Sequence, residues 1–139
     1  MSKINMGRVL LGGVAGGVVL NLIDYVVNGV WLSPQWVAAA SKLGSANAMA
    51  PATIMGYVIG DFVFALLIVW LYAAMRPRFG PGAGSAARAS LAIWIVAAVF
   101  DTQMVVLGLY PAQLVATSVA CTLVGMLAAG YVGGMLYKE

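Results

Sequence analysis

Residues 9–32 read VLLGGVAGGVVLNLIDYVVNGVWL, an unbroken apolar run with a single charged side chain, Asp24. About 20 helical residues cross a hydrocarbon core, so a run of this length predicts a membrane-spanning helix. Lys3 and Arg8 precede it, as basic residues precede a signal peptide. The run exceeds the roughly 7–15 apolar residues of a signal core, and so it reads as a retained span. Three further runs of similar character follow, at 53–75, 89–109 and 112–137. The expectation is an all-α polytopic membrane protein: one transmembrane domain over 1–139, with four helices packed as a bundle.

The bulk composition agrees. Of 139 residues, 63% are hydrophobic and 8% charged, against roughly 25% charged in an ordinary soluble domain. So few polar groups could not cover the surface of a soluble fold this small. There is no histidine, which removes imidazole-ligated haem, a histidine-containing zinc site and a Ser-His-Asp triad from this chain. One cysteine, Cys121, allows neither an internal disulfide nor a thiolate cluster. No enzyme is expected.

Charge distribution sets the orientation. Lys3, Arg8, Arg76, Arg78, Arg88 and Lys138 fall on one side of a four-span chain, and only Lys42 on the other. By the positive-inside rule the six-charge side is cytoplasmic, which puts both termini inside. The net charge of +3 is then a topology signal that also suits anionic headgroups, and no nucleic-acid partner is implied. The segment 76–85, rich in Gly and Pro, reads as a flexible inner connector. In the outer loop 33–51, Ser33 and Pro34 form an N-cap and first-turn signature. Trp36, Val37, Ala40 and Leu43 follow at helical spacing, which predicts a short interfacial helix anchored by Trp36. Residues 109–111 make a tight turn between spans three and four. Trp31, Tyr72, Tyr110, Tyr131 and Tyr137 near the span ends suit an aromatic belt.

Small residues mark the packing faces, because helices in lipid associate through close approach and hydrogen bonds. GxxxG pairs occur at Gly12 and Gly16, Gly13 and Gly17, Gly56 and Gly60, and Gly130 and Gly134. Ser118, Thr122, Gly125, Ala129 and Gly133 form one small-residue face of span four. Gly13, Gly17, Asn21, Asp24 and Asn28 form the matching stripe of span one. Both stripes are expected to face the bundle interior or a second subunit.

Three of the four acidic residues lie inside spans: Asp24, Asp61 and Asp101, with Glu139 outside. Each carries a price of roughly 2.5–3.5 kcal/mol at a helix centre on insertion scales. Asp24 precedes Pro34 by ten residues, Asp61 follows Pro51 by ten, and Asp101 precedes Pro111 by ten. Ten residues are about 15 Å of helix, so the three carboxyls occupy one layer near mid-membrane. Counting ten residues on from Pro111 adds Cys121 to the layer, beside Thr122, and Asn21, Asn28, Gln103, Thr117 and Ser118 lie within about two turns of it. No basic residue in a span can pair with them, and desolvation with mutual repulsion disfavours three bare carboxylates. They are therefore protonated links between helices, oxygen ligands of a hard cation such as sodium, calcium or magnesium, groups on a proton path, or three groups each with a different partner. No other cofactor or metal is implied.

The segment 69–82, VWLYAAMRPRFGPG, is similar to a run found in small bacterial four-helix membrane proteins of unknown function. The opening 7–13, GRVLLGG, the tripeptide Asn28-Gly29-Val30 and the segment 87–94, ARASLAIW, extend the resemblance over most of the chain. It implies a bacterial inner-membrane protein of this architecture and carries no activity with it. The expected function is a non-catalytic accessory or assembly subunit, or a self-associating bundle, with lipid and other subunits as partners. The alternative is an oligomeric cation- or proton-linked transporter or channel using the aspartate layer.

Overall fold

The computed structural model describes residues 3–138, and among these every regular element is helical. Helix α1 covers Met6–Asp24 and runs on as a π-helical segment, Tyr25–Trp31. Helices α2, α3, α4 and α5 cover Ser33–Lys42, Pro51–Phe79, Ala83–Val106 and Ala112–Leu136. Four stretches are long and apolar enough to cross a membrane: Met6–Trp31, Pro51–Phe79, Ala83–Val106 and Ala112–Leu136. Glu139 lies outside the described residues.

Local chemistry explains most boundaries. The Asn5 side chain accepts from the Arg8 N–H at 3.1 Å and caps α1. Pro51 stands in the first turn of α3, where a missing N–H costs nothing. α4 stops at Val106, three residues earlier than expected. There the Leu109 N–H reaches the Met104 carbonyl, and Gly108 takes a φ of 73°, the left-handed geometry that closes a helix end.

Two expectations about the loops are corrected. Helix α3 does not end near Met75 but continues through Pro77 to Phe79. A proline in the last turn sacrifices one hydrogen bond, and the rest of that turn survives. The connector that remains, Gly80–Gly82, is pinned rather than flexible. Gly80 and Gly82 adopt φ of 77° and 120°. The Ser85 hydroxyl donates to the Gly80 carbonyl at 2.7 Å, and the Gly82 N–H donates to the Tyr72 hydroxyl at 3.2 Å. The interfacial helix exists as α2, but Ser33 does not cap it. Leu32 occupies the cap position, because the π-helical segment leaves only that residue as a hinge.

α1 packs against α3 and α5, and α4 against the same two. Two glycine pairs of α1 serve two neighbours. A Cβ on Gly12 or Gly16 would lie 2.5 or 2.7 Å from the carbonyl oxygen of Gly133 or Ala129, so only glycine lets α5 come this close. Gly13 and Gly17 instead face Leu66 and Phe62 of α3. The glycines of the span-one stripe thus turn toward α3, while the neighbouring pair meets the small-residue face of α5. Gly125, Gly130 and Gly134 sit against Leu20, Ser90 and Tyr72 respectively. A Cβ added at Gly56 or Gly60 would meet nothing within 4 Å beyond its own stretch of helix.

The buried side chains concentrate toward the end that carries the six basic residues, called the basic end below. Leu20, Ile68, Val69, Ala89, Met126 and Ala129 form the centre of this core. A smaller cluster of Leu32, Ala39 and Leu114 closes the far end.

Candidate functional site

The polar groups expected to share one layer sit in three different surroundings. Asp24 belongs to a network centred on Asn28. The Asn28 amide donates to Asp24 Oδ1 at 2.6 Å, one turn earlier on the same helix. Its Oδ1 accepts from the Trp36 indole N–H of α2 and from the Ser118 hydroxyl of α5, each at 2.9 Å. Asn28 therefore uses both ends of its amide to tie three elements together. It does so from within the π-helical segment, whose i→i+5 bonds include Leu32 N–H to Val27 carbonyl at 2.7 Å. Such segments recur at functional positions.

Asp61 stands on α3, half-buried, and its Oδ2 is buried with no hydrogen-bond partner among the described residues. Asp101 is exposed on α4. It makes no hydrogen bond or ion pair with any described residue. Among the described residues no group of three acidic or cysteine side chains could hold a metal ion. The spacing from the outer prolines does not gather the three aspartates into one metal-holding group among the described residues.

The remaining candidates divide similarly. Asn21 donates to the Gly17 carbonyl at 2.9 Å and across to the Val58 carbonyl of α3 at 3.3 Å, so it links helices. Thr122 spends its hydroxyl on the Ser118 carbonyl one turn back, at 2.9 Å. Gln103 is exposed beside Asp101.

Trp36 is the residue of this network that sequence reasoning missed as a site, whereas Ser118 was expected near the aspartate layer. Trp36 was expected as an interfacial anchor, yet its indole nitrogen turns to Asn28 and its ring lies edge-on to Tyr110 at 5.4 Å. The signal was present but ambiguous: a tryptophan beside the outer proline serves an interface or a partner equally well.

A second constellation closes the basic end. The Arg76 guanidinium lies over the rings of Tyr137 and Tyr72, 5.2 and 5.9 Å from their centroids. The two rings meet edge to face at 6.1 Å. Tyr137 accepts from the Asn5 N–H at 3.2 Å and Tyr72 from the Gly82 N–H, so one knot ties both ends of the described chain to the α3–α4 turn. Both tyrosines are 4% exposed, and neither displays its ring as a belt residue would. Beyond the knot, Arg88 and Arg78 both lie over the exposed Phe79 ring, at 5.2 and 5.9 Å.

Comparison of the chain with protein-family models, with characterised proteins and with solved structures returns no match. Its function is therefore argued from these residues alone.

Proposed function

We propose that the chain is an integral membrane protein of four spans in the bacterial inner membrane, packed as a bundle with both termini cytoplasmic. It acts without catalysis, as an accessory or assembly subunit that associates with copies of itself or with a larger membrane complex. The collection of six basic residues at one end, against Lys42 at the other, supports the orientation.

One observation carries the association. Asp101 is exposed within the apolar stretch of α4, five residues and so about 7.5 Å of helix before its end at Val106, with the exposed Thr102 and Gln103 next to it in sequence. A carboxyl at that depth is costly unless another polar group meets it. No described residue of this chain does so. A second protein surface would supply the partner.

The test is isolation from native membranes in mild detergent, with mass measurement of the intact particle. The expected result is a species larger than the monomer, and Asp101→Ala should release the partner while leaving folded yield unchanged. A lone monomer from both proteins would sink the reading.

The alternative, a cation- or proton-linked transporter or channel, is favoured by the unpartnered buried oxygen of Asp61. It predicts an ion-dependent thermal shift in detergent that Asp61→Asn abolishes. An unchanged ion response in the well-folded variant would remove it.

A further inference from the structure

At the basic end the chain presents two cations that no acidic group answers. Arg78 ends α3 and Arg88 lies in the second turn of α4; both are exposed, and both are held within 6 Å of the centroid of the Phe79 ring. Neither makes an ion pair with a described residue. The acidic residues of the described chain are Asp24, Asp61 and Asp101, and each lies more than twelve residues along its own helix from the nearest basic-end arginine or lysine. The guanidiniums are not loosely placed. The turn beneath them is fixed by the Ser85 to Gly80 and Gly82 to Tyr72 hydrogen bonds, and Arg88 Nη1 lies back over Gly84.

Below Arg88 the helix surface changes to apolar at a matching register. Leu91, Ile95 and Val99 follow Arg88 at three, seven and eleven residues, on the same face of α4, and all three are exposed. Ile95 and Val99 line a shallow groove of about 250 Å³ with Trp94, Ala98, Thr102 and Gln103. Trp94 forms a fixed wall because its indole N–H donates to the Val119 carbonyl of α5 at 2.9 Å. Ten residues separate Arg88 from Ala98, about 15 Å of helix, which is the depth of one leaflet.

We propose that this surface is a binding site for an anionic phospholipid of the cytoplasmic leaflet. Arg78 and Arg88 take the phosphate, and one acyl chain lies along Leu91, Ile95 and Val99. Paired guanidiniums suit a phosphate oxygen cluster better than a zwitterionic headgroup, whose own ammonium would compete for it. Both guanidiniums lie over the one exposed Phe79 ring, which gathers them at the same corner of the basic end. This inference rests on the orientation given above, in which the basic end meets the cytoplasmic leaflet.

The experiment uses delipidated protein in mild detergent, with thermal unfolding and intact-complex mass spectrometry as readouts. The probes are phosphatidylglycerol, phosphatidylcholine and glycerol phosphate. Phosphatidylglycerol should stabilise the protein and remain bound as one retained lipid, whereas phosphatidylcholine and glycerol phosphate should do neither. Arg78→Gln with Arg88→Gln removes both charge-assisted contacts and should weaken retention at least about tenfold. Lys3→Gln with Arg8→Gln removes the same charge elsewhere at this end and should leave retention unchanged. Equal weakening by both pairs would show a general charge effect and overturn the site. Equal stabilisation by phosphatidylcholine, or by glycerol phosphate, would overturn it too. A label attached in the turn after Phe79 that reacts from outside intact cells would instead refute the orientation, independently of any lipid result.

Discussion

The two halves of the molecule hold together by different means. Toward the basic end, α3 buries Ala65, Ile68, Val69, Tyr72 and Ala73, and α4 buries Ser85, Ala86, Ala89 and Ser90. Toward the far end, positions 51–64 of α3 and 91–106 of α4 contain no buried residue. The first half is closed by backbone approach at glycines. The second depends on side-chain hydrogen bonds radiating from Asn28. Lipid gives helices no hydrophobic reason to associate, so close packing is the firmer of the two devices. Membrane hydrogen bonds average only about 0.6 kcal/mol, with about 1.7 kcal/mol as the upper measured value. The far half is therefore the one that can exchange an internal contact for a partner.

The largest effect should come from breaking the firm half. In Gly16→Val, the added Cβ has no free volume, since 2.7 Å from the Ala129 carbonyl is backbone against backbone. α1 and α5 must separate, and overpacking of this kind costs about 1–3 kcal/mol. Reversible unfolding in mixed detergent would register it as a lower midpoint. An unchanged midpoint would mean that the halves do not differ in the way described.

Next in size is the hub of the open half. Asn28→Leu removes three hydrogen bonds and leaves the Trp36 and Ser118 donors without their acceptor. The expected loss is about 1–2 kcal/mol, smaller than that of the glycine variant because the partners regain bonds in the unfolded membrane state. A red shift of tryptophan fluorescence would report the release of α2, provided that Trp31, Trp70 and Trp94 are first replaced by Phe. A loss exceeding that of Gly16→Val would invert the comparison.

These halves were unequally legible in the sequence. Four apolar helices follow from run length alone, since the hydrocarbon core imposes a length that composition must match. Small-residue faces were legible as periodicity. Which neighbour each face meets was not, because Gly12 and Gly13 differ by one position and by 100° of helix, and both belong to a GxxxG pair. The aspartates were legible as acidic groups inside apolar runs. Helical phase at the far half was not, because seven residues of π-helix rotate everything beyond Asp24 relative to an ideal α-helix. Pro77 was read as a boundary, yet a proline in a final turn is tolerated when the turn ends on Gly80. The arginine–tyrosine knot joins positions separated by more than sixty residues, which no local pattern encodes.

A finer test separates the hydrogen bonds at the hub. Trp36→Phe deletes the indole N–H together with part of the ring, while Asn28 keeps Asp24 and Ser118. The cost should be about 0.6 kcal/mol, one average membrane hydrogen bond. The edge contact with Tyr110 survives in part, because the phenyl ring retains an edge. If the loss equals that of Asn28→Leu, α2 is held by this single bond and the network is not shared.

The smallest intramolecular effect is expected at Gly56, which belongs to a GxxxG pair by sequence but where an added Cβ would meet nothing within 4 Å beyond its own stretch of helix. Gly56→Ala should leave the unfolding free energy unchanged or raise it by up to about 1 kcal/mol, since glycine is the poorer helix former. Gly12→Ala is the control, with its Cβ only 2.5 Å from the Gly133 carbonyl, and it should lower the midpoint. The two alanines have the same chemistry and the same sequence motif, so any difference between them belongs to the surroundings. Mass measurement of the intact particle adds the other axis. If Gly56→Leu leaves the monomer stable but reduces the larger species, the open half of α3 is a face between chains, and the same motif closes a helix pair inside the molecule and joins molecules outside it. If Gly56→Leu changes neither readout, the α3 pair faces lipid, and the search for a partner surface narrows to Asp101 and Gln103 on α4.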